Sequence, residues 1–181
     1  MTCPECSRAI IRIAKYPESL PNYLEDTYAA YPQGILFRPV APEVTDPYRQ
    51  DFIEACEVLA LSPKASAALS RRNLQAILRD KAGTTQKDLY DQIEEVIASS
   101  RLPSHIADDL HAVRNIGNFA AHEIKSKVTG AIVDVEAGEA EWNLDVLESL
   151  FDFYFVEPTK AAKRRADLNK KLREAGKPEL N

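Results

Sequence analysis

Hydrophobic residues recur every three to four positions over most of the chain beyond residue 46, the spacing of amphipathic helices. Phe52, Ile53, Cys56, Leu59 and Ala60 mark a first helix, opened by Asp46-Pro47, a cap followed by proline at the first helical position. Ser62-Pro63 repeats that start signal and opens a second helix running to Gly83, with Leu74, Ile77 and Leu78 toward a core. A third helix is predicted over about residues 86–99, burying Leu89, Ile93, Val96 and Ile97. Leu102-Pro103-Ser104 caps a fourth over residues 105–123, and residues 125–134, with Gly130, read as a loop. A fifth helix spans about residues 135–156. Its end, from Leu147 through Phe151 to Val156, is apolar nearly all round, which predicts the central or interface helix. Pro158 is expected to break it, leaving a shorter basic helix outside the core.

Before residue 46 the periodicity gives way to prolines (Pro17, Pro21, Pro32, Pro39 and Pro42) among Tyr16, Tyr23, Tyr28 and Tyr31. Proline at this density blocks long helices and central strands, so an extended arm that wraps the body through its aromatics is expected. Within it, residues 24–30 suit a helical turn and residues 35–37 a short strand. The expected architecture is an all-α bundle of about five helices over residues 46–157. An N-terminal arm over 1–45 precedes it and a basic C-terminal helix or tail over 158–181 follows.

Composition narrows the class. The chain has 181 residues, 45% hydrophobic and 28% charged, which suits one soluble domain with appendages. No run approaches the roughly 18 apolar residues of a membrane span, and Glu5, Arg8, Arg12 and Lys15 interrupt any signal-peptide core. Three cysteines do not make a secreted disulfide framework, so a reducing cytoplasm is expected. Cys3-Pro4-Glu5-Cys6 has the shape of half a zinc knuckle, but no second pair follows and Cys56 stands alone. No cofactor is therefore expected, and zinc only with ligands from elsewhere, such as a second protomer; the other reading is a ribbon remnant without metal. The net charge of −5 hides a partition: from Lys160 onward eight Lys/Arg face three Asp/Glu, against 15 and 25 in residues 1–159. The acidic body argues against broad nucleic-acid binding while leaving room for a local basic groove.

The candidate chemistry sits on the fourth helix. At about 100° per residue, Val113, Ile116, Gly117, Ala120 and Ile124 form its apolar stripe. His111, Arg114, Asn115, Asn118 and His122 share the opposite face. A merely solvated face would carry Lys and Glu, whereas Asn is a poor helix former and Gly117 costs roughly 1 kcal/mol against Ala. On the second helix Arg72, Gln75 and Arg79, with Arg71 beside them, form a basic stripe that reads either as a nucleic-acid contact or as a solvated face.

S-P-K-A-S-A-A-L-S-R-R-N-L-Q-A-I-L-R-D-K at residues 62–81, L-P-S-H-I at 102–106 and R-N-I-G-N-F-A-A-H at 114–122 resemble the bacterial domain of unknown function 4145. That family includes small stand-alone proteins, often with a zinc-ribbon knuckle, and parts of restriction-enzyme subunits. It in turn resembles the HEPN superfamily, helical bundles of prokaryotic defence, toxin–antitoxin and RNA-processing systems. Its active members are metal-independent ribonucleases with an Arg and a His four to six residues apart. Arg114 and His122 have seven residues between them, a departure from that pattern.

For metal-free RNA cleavage by that Arg–His pair, the residue chemistry makes His122 general acid or base, Arg114 phosphate clamp and Asn118 the group orienting between them, with His111 and Arg72 in support. Eight helical steps separate the Arg114 and His122 Cα atoms by about 12 Å, so a homodimer bringing two stripes together would serve this chemistry better. The surplus apolar surface of residues 151–156 points to the same homodimer, with the fourth or fifth helix near its two-fold axis. In the structural alternative, Asn118 and His122 bond neighbouring segments and Arg114 pairs with Glu94, Glu95 or Asp109. The function expected is a non-catalytic or weakly catalytic module of a defence or restriction-type system. Its Arg114–His122 stripe would bind nucleic acid (RNA), nucleotide or a protein partner. The alternative is a ribonuclease.

Overall fold

The computed structural model describes residues 9–15, 26–31, 38–121 and 135–180, and the side chains of 9–14, 38–114 and 135–180. Six α-helices dominate: α1 (Tyr48–Val58), α2 (Pro63–Ile77), α3 (Leu89–Ala98), α4 (Ser104–Ala121), α5 (Ala137–Phe151) and α6 (Glu157–Glu174). The fold is an all-α bundle of five helices with a sixth, basic helix at its C-terminal end.

The start and stop signals of α2 act locally as their chemistry predicts. Ser62 accepts from the Ala65 backbone N–H at 3.2 Å, and Pro63 occupies the first turn of α2. The helix continues through a π turn (Leu78–Ala82) to Gly83, whose φ of 75° gives a left-handed C-terminal cap. The Asp46 cap is not formed. Pro47 itself stands at the N-cap of α1, and the Asp46 carboxylate, one residue too early, accepts from Gln50 Nε2 instead. The expected turn at residues 24–30 is also corrected. Strand β1 (Ile11–Lys15) pairs antiparallel with β2 (Asp26–Tyr31), and the hairpin satisfies backbone groups that an isolated turn would leave to water. The expected strand at 35–37, the loop at 125–134 and the Cys3/Cys6 pair lie outside the described residues.

α2 lies against α1, α3, α4 and α5, and α5 against α1, α2 and α4. Their shared core holds Phe52, Ile77, Leu78, Ile93, Leu110 and Leu144, all essentially without exposure. Burial of this kind stabilises by roughly 1.5–3 kcal/mol per large apolar side chain. Ser66, Ala67, Ser70 and Asn73 give α2 a small buried face, and Asn73 donates to the Tyr48 carbonyl at 2.8 Å, joining α2 to α1.

Pro158 does not end the fifth helix. A second π turn (Asp152–Val156) links α5 to α6, with Pro158 in the first turn of α6. The wider turn accommodates a ring that would collide with the carbonyl four residues back in a regular α-helix. The aromatic run is accommodated within one chain. Phe151 and Phe155 are buried, with edge contacts to Phe52 at 5.3 Å and Tyr48 at 5.3 Å respectively. Only Phe153 and Tyr154 remain half-buried.

Candidate functional site

α4 sets Arg114 of the candidate stripe against α3. Its N-terminal half anchors through Ile106, Leu110 and Val113, all buried, which turns Arg114 toward α3. Arg114 is only 13% exposed. It forms an ion pair with Glu94, and its guanidinium carbon lies 4.7 Å from the Tyr90 ring centroid. Glu94 and Tyr90 are four residues apart on α3, one turn of one face, so helix packing presents both to the same guanidinium. Arg114 Nε is buried without a partner among the described residues. His111 lies one turn earlier and is exposed. Asn115 and Asn118 belong to the α4 backbone, but their side chains, and the whole of His122, lie outside the described residues. The geometry therefore fixes one end of the stripe.

The α2 cations are dispersed. Arg72 pairs with Asp51 on α1, and Arg79 Nε donates to Asp80 at 2.9 Å. Asp80 also accepts from the Tyr48 hydroxyl at 2.9 Å, and these two hydrogen bonds hold its carboxyl below the usual range. Gln75 donates to the Lys87 carbonyl. Arg71 is half-buried, and burial lowers its pKa while Asp88 opposes the shift. It shares a cavity of about 10 Å³ with Ser70, Leu89, Val113 and Asn143. That is room for about one water and not for a nucleotide. A larger space of about 230 Å³ opens beside α5, walled by Val40, Phe52, Glu148 and Phe151 without any α4 residue.

Cys56 is buried, and burial pushes its thiol up to about 11, the opposite of what a metal ligand or nucleophile needs. No group of three or more His, Cys, Asp or Glu suited to a metal occurs among the described residues. No helix there is long and apolar enough to cross a membrane.

The Arg114 motif and the helices around it coincide with a known sequence family. A family model described as "Domain of unknown function (DUF4145)" matches residues 53–174, from α1 through α6. The chain belongs to the DUF4145 family. No curated protein and no solved structure matches it. Of the three acids the sequence offered as partners for Arg114 (Glu94, Glu95 and Asp109), the DUF4145 domain pairs it with Glu94; Tyr90 was not foreseen. Its spacing of four from Glu94 puts the two on one face of α3, but nothing in the sequence turns that face toward Arg114.

Proposed function

We propose that this DUF4145 protein is a non-catalytic interaction module of a prokaryotic defence or restriction-type system, acting in the cytoplasm as a homodimer. In this reading the exposed His111 side of α4 meets a partner, whether protein, nucleotide or RNA, while Arg114 sets the angle between α3 and α4. The observation that carries it is the commitment of Arg114. A phosphate clamp of the HEPN type needs its guanidinium fork open to substrate, whereas this one is nearly buried, ion-paired with Glu94 and seated over the Tyr90 ring.

The test compares wild type with Arg114→Ala on single-stranded RNA in EDTA, alongside thermal melting. The module reading expects no cleavage by either protein and a lower melting temperature for Arg114→Ala. RNA cleavage by wild type that Arg114→Ala abolishes at unchanged melting temperature would establish the ribonuclease instead.

A further inference from the structure

From Ala137 to Glu174 the chain runs helical without interruption through α5, the π turn and α6, about 57 Å at 1.5 Å per residue. Charge is divided along it. Between Val135 and Glu157 there are seven carboxylates and no Lys or Arg, while from Pro158 to Glu174 seven Lys/Arg stand against two carboxylates. Among the described residues the basic half has none buried; the C-terminal segment touches it, Asn169 exchanging two hydrogen bonds with the Leu180 backbone and Arg173 pairing with Glu179. On the acidic half Asp145 and Asp152 are exposed and Glu141 half-exposed, with Trp142 40% exposed beside them. On the basic half Leu168 is 45% exposed.

The two halves share a face. Counting about 100° per residue in α-helix and about 80° in the wider π turn, Lys160, Arg164, Leu168 and Lys171 follow Trp142, Asp145 and Asp152 along one side. Trp142 lies thirteen residues before Phe155, and Leu168 thirteen after it. A two-fold axis at the π turn therefore sets each Trp142 opposite the partner copy's Leu168, and each acidic half opposite a basic one.

We infer that the outer face of this long helix is the surface on which a second copy docks, antiparallel, with α6 of each chain lying along α5 of the other. This deepens the dimer part of the reading above and is independent of what α4 binds. A second copy fits better than nucleic acid. A phosphate backbone following α6 would run onto the carboxylates of α5, and it has no use for paired apolar side chains at matching distances from one centre. Internal pairs already temper the charge: Arg38 Nη1 meets Asp145 at 2.5 Å and Glu148 at 2.9 Å, and Lys160 meets Glu157 at 3.1 Å. The association should accordingly be salt-sensitive.

The experiment is sedimentation of the full chain at low and high salt. Two charge-reversed variants are run beside wild type: Lys160→Glu/Arg164→Glu/Lys171→Glu on α6, and Glu141→Lys/Asp152→Lys on the acidic half. Wild type should be a dimer whose dissociation constant weakens at least about tenfold as salt rises from about 50 to about 500 mM. Each variant should be monomeric, with helical content by circular dichroism unchanged, and mixing the two should restore a dimer. A wild-type monomer overturns both the dimer and its surface. A dimer indifferent to both reversals overturns the surface alone. Loss of binding to a single-stranded RNA oligonucleotide in the α6 variant, at unchanged oligomeric state, would assign α6 to nucleic acid and overturn the inference.

Discussion

At the scale of single residues, Arg114 distinguishes a structural role from a chemical one. Its ion pair with Glu94 is half in water and so contributes modestly, while its place over the Tyr90 ring adds about 0.5–1 kcal/mol. Arg114→Lys keeps the charge but loses the guanidinium's broad contact over the Tyr90 ring. It is expected to melt between wild type and Arg114→Ala, the whole series spanning roughly 1–2 kcal/mol. Equal melting of all three by calorimetry would refute the anchoring role. Glu94 was legible in the sequence as an acid within reach. Tyr90 was not, because it requires knowing how α3 rolls against α4. Asn73 was hidden for a similar reason, since a polar residue on a helix reads as solvent-facing until its carbonyl partner on Tyr48 is located. Cys56 provides a second measurement. With Cys3 and Cys6 changed to Ser, its alkylation near pH 8 should be at least about a hundredfold slower folded than in urea, as burial and a thiol held near 11 require.

Among the elements, those with a punctuating residue at each end were the most legible. α2 shows this, with Ser62-Pro63 before it and Gly83 after it. Gly83 has open space where a Cβ would sit, so the cost of Gly83→Ala comes from its positive φ alone, about 1–2 kcal/mol by urea unfolding. Gly83→Asn should cost less, since Asn tolerates that region. Pro158 was read as a stop because a π turn leaves no separate mark in the hydrophobic pattern. The hairpin strands were missed because their pairing joins segments eleven to twenty residues apart, a relation that local propensity does not encode. The join between α1 and the end of α2 has its own pH signature. Asp80, held low by Arg79 and Tyr48, contributes stability that is present above its unfolded value and lost as pH falls through its lower folded one. Melting followed from pH 5 down to about pH 2 should therefore decline less steeply for Asp80→Asn than for wild type.

For the whole molecule, the central question is how much of the chain the core needs. Among the described residues the buried cluster begins at Val44, with Val40 and Ala41 packed against it and Arg38 fixed to Asp145 and Glu148 on α5. Upstream, the described side chains of β1 lie in solvent, Ile11 55% and Ile13 45% exposed, while the tyrosines through which an arm was expected to wrap the body lie outside the described side chains. Composition shows that such a segment resists helix formation, but not which surface, if any, it covers. Because the described core cluster lies wholly beyond Arg38, a chain starting there should melt within about 4 °C of the full protein, the equivalent of about 1 kcal/mol, and EDTA should not alter its midpoint. Starting the chain at Thr45 instead removes Val44, which is 2% exposed, together with the Arg38 ion pairs, and should cost about 2–4 kcal/mol. A large drop already on removing residues 1–37 would show that the arm packs on the bundle through its tyrosines. Their aromatic surface would then belong to the core.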